Sequence, residues 1–153
     1  MKINGLNGIS YVVEEVPDLS QVLASVQVND ESLVYSGQSM ALVFKVSGRV
    51  IDMDVPFGFE WDGASIPGFA QWLIGRPLDR DFRVPSLIHD SGYEDRSKRV
   101  FQDVIFYYLL RRNNVAKWRA VLMYLAVRVG GHVYYASETS RFWRGVQGVL
   151  KRI

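Results

Sequence analysis

At 153 residues, 48% of them apolar and with a mean hydropathy of +0.01, the chain can bury one well-formed core, and its length gives no reason to divide it. With no cysteine it can form neither a disulfide framework nor a thiolate metal site, which fits a reducing compartment or a fold that needs no staples. The net charge of +2 hides an asymmetry: the first 60 residues hold three Lys/Arg against eight Asp/Glu, giving −5, and the rest hold fifteen against eight, giving +7.

Met1 to Ser10 lacks a basic start, an apolar run and a small-residue cleavage site, so no secretory signal is predicted. From Tyr11 to Val55 the chain reads as β-prone runs: Tyr11-Val12-Val13, Leu33-Val34-Tyr35, Met40 to Val46 and Arg49 to Val55. Turns are expected at Pro17-Asp18, Asn29-Asp30, Ser36-Gly37 and Ser47-Gly48. Ala41 to Lys45 and Arg49 to Asp54 alternate apolar with other residues, as strands with one wet face do, and Ser47-Gly48 between them predicts a hairpin. An antiparallel N-terminal sheet follows.

After Trp61 the glycines and prolines at Gly58, Gly63, Pro67, Gly68, Gly75, Pro77 and Pro85 predict a loop region without long regular elements. From Val84 the pattern is helical. Ser97 to Asn113 forms one helix, stopped by Asn113-Asn114, and Ala116 to Val129 a second, ended by Gly130-Gly131. Ser140 to Ile153 predicts a short basic amphipathic helix with Phe142, Trp143, Val146, Val149 and Leu150 on one side. The most apolar stretch, Val115 to Val129, is interrupted by Lys117, Arg119 and Arg128, so no transmembrane helix is expected. The expected class is α+β within a single domain, 1–153: a β-rich part over 1–60, then a loop and helical part over 61–153.

Leu87 to Tyr93 is where chemistry concentrates. A helix there places His89 and Tyr93 on one face and turns Asp90 about 100° away. A neutral imidazole can take a proton from water if a carboxylate holds its other nitrogen. Asp103, one helix later amid Phe101, Val104, Phe106 and Tyr107, is the candidate, because an unpaired carboxylate is costly to bury there. Asp90 is left to face Trp61-Asp62-Gly63-Ala64-Ser65. Asp62, the Gly63 carbonyl and Asp90 are hard oxygen donors that could together hold one calcium ion. On the residues alone, the His-Asp pair also fits a satisfied core histidine, and Asp62-Gly63 an ordinary turn. With His132 the only other histidine, a multi-histidine metal site is not expected.

Asp62-Gly63-Ala64-Ser65, His89-Asp90-Ser91-Gly92-Tyr93 and the Arg99-x-x-x-Asp103 pattern with its following aromatics resemble three parts of the prokaryotic phospholipases A2. These are the calcium loop, the His-Asp-x-x-Tyr helix and the Asp of the second helix. The resemblance covers Trp61 to Arg112. It implies a phospholipase A2-like helix pair in which His89 activates water, Asp103 orients it, Tyr93 supports Asp103 through its hydroxyl, and Asp62, Gly63 and Asp90 bind calcium. Where the bacterial enzymes carry a pair of cysteines, this chain has Ala64 and Ser86.

Val55-Pro56 to Pro67, with its Asp-Gly-Ala-Ser-Ile-Pro core, and Lys117-Trp118-Arg119-Ala120 to Arg128 resemble the phage and prophage proteins grouped as domain of unknown function 1353. That resemblance spans Phe44 to Gly131. It implies synthesis in a host cytoplasm and a place in, or near, a virion.

Two functions follow. One is a phage-associated, calcium-dependent lipid-ester hydrolase working at a phospholipid membrane surface. The other is a non-enzymatic virion or assembly component of the tail or head that contacts other phage structural proteins. Arg111, Arg112, Lys117 and Arg119 around Trp118 also outline a phosphate-contacting patch, although nucleic acid is not the expected partner.

Overall fold

The structure, a computed structural model, describes residues 1–5, 7–64, 71–91 and 99–137, with the backbone alone for 129–137. The described elements run β1 (Lys2–Asn4), β2 (Ser10–Glu15), α1 (Ser20–Ala24), β3 (Val26–Asn29), β4 (Ser32–Tyr35), β5 (Met40–Val46), β6 (Arg49–Val55), β7 (Glu60–Trp61), α2 (Gln71–Ile74), α3 (Arg80–Ser91), α4 (Arg99–Arg112) and α5 (Lys117–Ser137). Strands fill the N-terminal half and helices the C-terminal half, an α+β arrangement.

The β5–β6 hairpin shows why the alternating pattern is reliable here. Leu42, Phe44 and Val46 on β5 and Ile51, Met53 and Val55 on β6 are buried, and Val43 and Val50 face out. Val46 pairs with Arg49 across Ser47 and Gly48, both at positive φ (49° and 77°), the two-residue turn whose twist matches the strands. Ser47 is also tied sideways: its hydroxyl accepts the Val12 N–H at 3.0 Å, and its own N–H donates to the Val12 carbonyl at 2.8 Å. This extends the sheet to β2, giving the order β1-β2-β5-β6, all antiparallel.

The expected single sheet is in fact two. A second, of order β3-β4-β7, forms through Leu33 opposite Trp61 and Val34 opposite Glu60. Its outer strands escape the sequence pattern for physical reasons. β7 has two residues, and β3 buries none of its four, so neither has an alternation to display.

Two breakers behave differently from expectation. Pro85, expected among the breakers of a loop region, sits inside α3, which begins at Arg80. Proline there removes the N–H that would bond the Asp81 carbonyl four residues back. The Asn113 side-chain amide supplies the substitute, donating to that carbonyl at 2.9 Å. Gly130-Gly131 does not end α5, which runs on to Ser137. Glycine inside a helix costs about 1 kcal/mol, a penalty that neighbouring helix formers outweigh, whereas a stop needs a left-handed residue. Asn114 provides one at the end of α4, with φ 62°, as the Asn-Asn pair predicts. There Val115 N–H bonds the Leu110 carbonyl at 3.1 Å and Asn114 N–H bonds the Arg111 carbonyl at 3.2 Å, the Schellman pattern. The amphipathic helix expected over Ser140 to Ile153 lies outside the described residues.

α3 packs on β6 and α4 on β2, and α4 packs between α3 and α5 as consecutive neighbours, so α4 is the shared wall of the helical half. Asn113→Ala should destabilise the protein by about 0.5–1.5 kcal/mol, but by less in a Pro85→Ala background, where residue 85 regains its own donor. A double-mutant cycle by urea denaturation checks this; additive effects would show that Asn113 does not serve the Asp81 carbonyl.

Candidate active site

His89 lies in the last turn of α3, and its side chain is 7% exposed. Its Nε2 is 2.8 Å from Oδ1 of Asp103, in the second turn of α4. A carboxylate can only accept, so the proton of that bond sits on Nε2. The other nitrogen, Nδ1, is 3.4 Å from Oδ1 of Asp90. Phe106 lies beside the ring, with centroids 5.1 Å apart. The imidazole therefore has a dry end and a wet end: the Asp103 side chain is 1% exposed and that of Asp90 33%.

The two carboxylates govern the basicity of His89. Burial pushes its pKa down, since it disfavours the cation. The hydrogen bonds to Asp103 and Asp90 and their negative charges outweigh burial, and the net result lies above the ordinary 6.5. Tyr124, packed edge-on to Tyr107, is likewise raised, chiefly by burial, with opposing influences from the Arg128 and Asp103 charges.

The second oxygen of Asp103 is also taken. Arg128 on α5 donates from Nη1 to Oδ2 at 2.8 Å, and Arg99, one turn before Asp103, approaches the same oxygen with Nε at 3.9 Å. Arg99 also donates through Nη2 to the backbone carbonyls of Val127 and Arg128. Three helices thus meet at one buried carboxylate. The sequence marks Arg99 as part of a motif, and Arg128 as an interruption of an apolar run and the end of a family-like stretch, without giving either a role at Asp103. The signal for Arg128 was present: it stands four residues after Tyr124 and eight after Ala120, both buried, so it shares the inward face of α5. Tyr93, expected to support Asp103, lies outside the described residues.

Asp62 and Gly63 follow β7 directly. Gly63 has φ +79°, and a Cβ there would fall 2.2 Å from the Pro77 carbonyl oxygen, so only glycine fits. Ala64 N–H bonds that same oxygen at 3.0 Å. The Trp61 indole N–H donates to the Ser86 hydroxyl at 3.0 Å, a buried bond. Ser86 and Asp90 are four residues apart on α3 and share a face, so β7 is tied to the side of α3 that carries Asp90. Asp62 is exposed. Asp62, the Gly63 carbonyl and Asp90 suit calcium by donor type, all being hard oxygens. Among the described residues no three His, Asp or Glu side chains cluster as a metal site, so water or a ligand would have to complete the six to eight oxygens calcium takes.

Removing the Arg128 guanidinium leaves Asp103 buried with part of its charge uncompensated. Arg128→Ala should cost about 3 kcal/mol by urea denaturation, the low end for a broken buried pair because Arg99 remains nearby; a cost under about 1 kcal/mol would show the pair to be ornamental. The raised pKa of His89 has a definite sign. Its contribution to stability is complete below about 6.5 and is lost as pH climbs through the higher folded-state value. Unfolding free energy measured across that window should fall with rising pH in the native chain and run flatter in His89→Gln. Equal slopes would refute the assignment.

A family model described as "Protein of unknown function (DUF1353)" matches residues 39–127, a stretch that contains Asp62, Gly63, His89, Asp90 and Asp103 and stops one residue short of Arg128. The chain is also 40% identical over 78 residues to a protein of Sinorhizobium fredii (strain NBRC 101917 / NGR234) described as "Uncharacterized protein y4jT". That match takes in 50% of this chain and only 23% of the relative. No solved structure matches the chain. With the model running from the start of β5 into α5, over more than half of the sequence, the chain belongs to the family of proteins of unknown function DUF1353.

Proposed function

We propose that this chain is a calcium-dependent lipid-ester hydrolase of the phospholipase A2 kind, associated with a phage and acting at a phospholipid surface. The observation that carries the reading is the His89–Asp103 contact: Nε2 spent on a buried carboxylate at 2.8 Å, with Nδ1 turned toward the exposed side. A base held in one tautomer, with its second nitrogen on the side of the partly exposed Asp90, is what water activation requires. His89 takes a proton from water at Nδ1 while the oxygen attacks the ester carbonyl, and returns it to the departing alkoxide, releasing a lysophospholipid and a fatty acid. Asp103 holds the ring and stabilises the imidazolium that forms. Arg128 and Arg99 hold Asp103. Asp62, the Gly63 carbonyl and Asp90 would bind calcium, which supplies charge for the developing oxyanion and the lipid phosphate. The Trp61–Ser86 bond supports the reading further, because Ser86 stands where the phospholipase pattern has a cysteine, and β7 and α3 remain tied together without a bridge.

A second reading has its own observation. Asp103 between His89, Arg128 and Arg99 is also a buried ionic cross-link of three helices, as a non-enzymatic virion or assembly component would keep it for rigidity alone.

Lysophospholipid release from mixed phospholipid vesicles, with calcium or with a chelator, separates the two. Hydrolysis should need calcium and fall by about 100-fold or more in His89→Ala, with a comparable loss in Asp90→Asn. No release from any folded form would remove the hydrolase reading and leave the structural one.

A further inference from the structure

We propose that the outer face of α5 docks on an anionic lipid bilayer, lying in the plane of the headgroups; the biological purpose rests on the hydrolase reading, but the binding itself does not. Trp118 is 46% exposed and Leu122 42%, and Ala126 is exposed too. At four-residue steps they form one stripe. The opposite face of the same helix buries Ala120, Met123 and Tyr124. A helix apolar on both sides normally has both sides covered.

The charge around the stripe selects what covers it. Residues 111–137 contain no Asp or Glu. Lys117 is exposed at the start of the stripe, and the Arg119 guanidinium lies 5.3 Å from the Trp118 ring centroid. Of the neighbouring cations, Arg111 is committed elsewhere, donating to the Val115 carbonyl at 2.6 Å. An aromatic ring with a cation over it, followed by aliphatic side chains and flanked by a lysine, matches the boundary between anionic headgroups and acyl chains. A second copy of the chain would set these cations against their own kind. A nucleic acid would meet Lys117 and Arg119 but would leave Leu122 and Ala126 without apolar cover. No helix among the described residues is long and apolar enough to cross a bilayer, which leaves the in-plane attitude.

The test is flotation of the full chain, in chelator, with phosphatidylcholine vesicles containing phosphatidylglycerol and with phosphatidylcholine alone. Binding should need the anionic lipid and weaken with salt. It should fall by about fivefold in Lys117→Gln, the loss expected for one surface cation, fall further in Trp118→Ala/Leu122→Ser, and be unchanged in Trp72→Ala. The proposal is overturned by no flotation of the folded chain, or by flotation indifferent to the double substitution. It is equally overturned if that substitution instead dissolves a dimer in sedimentation, or if duplex DNA competes where vesicles do not. Flotation without hydrolysis would count against the hydrolase alone, and hydrolysis of dispersed short-chain phospholipid without flotation against the docking surface alone.

Discussion

The helical half depends on one carboxylate. Asp103 is fully buried, in the second turn of the helix that packs against both α3 and α5. A carboxylate in that position is tolerable only if its charge is met and its lone pairs are filled. His89 from α3 takes Oδ1, Arg128 from α5 takes Oδ2, and Arg99 approaches from its own helix. Because each bond has a direction, they constrain more than distance. Sliding α3 or α5 by one turn, about 5.4 Å, would break a partner away and leave charge stranded. Apolar packing alone would hold the three helices together but would not choose the register.

The same logic extends to the loop beside α3. The buried Trp61 indole needs an acceptor and finds it in Ser86, which in turn donates to the Arg83 carbonyl at 3.1 Å. Gly63 lies so close to Pro77 that no side chain could intervene. One polar bond therefore ties β7 to α3, and one glycine contact ties the residues after β7 to Pro77, just ahead of α3. A disulfide between these segments would lower the entropy of the unfolded chain, whereas these contacts act only once the fold has formed. That is a workable alternative for a chain without cysteines.

Much of this was legible in the residues, and most of the exceptions share a cause. The β5–β6 hairpin and the Asn113-Asn114 stop were readable because local chemistry decides them: alternation, a two-residue turn, a left-handed Asn. His89 and Asp103 could be paired on paper because a buried carboxylate needs a partner and few were on offer. Pro85 within α3 and β7 were misread or missed because each depends on a group distant in sequence, and the length of α5 because neighbouring helix formers outweigh its glycine pair. Pro85 depends on Asn113, and β7 exists only through its pairing with β4. The role of Arg128 belongs with these, since its partner lies 25 residues away and its charge invited a surface assignment.

The arrangement around His89 also carries a tension that bears on what the site is for. Two carboxylates on one imidazole favour its protonated form, and a protonated imidazole cannot accept a proton from water. Were the network purely an ionic cross-link, that would be its best state: the cation would bridge Asp90 and Asp103 and stay there. The two contacts are unequal, however, at 2.8 Å to the dry carboxylate and 3.4 Å to the one near solvent. Arg128 and Arg99 draw the charge of Asp103 toward themselves, which weakens its hold on a proton at the ring. What can still be relieved is the looser bond, on the side where Asp90 is a third exposed. Any cation that engaged Asp90 from solvent would compete with the imidazolium for it and return Nδ1 to the neutral, accepting form. One firm contact and one looser one is the asymmetry that the proposed role of His89 as a base would use.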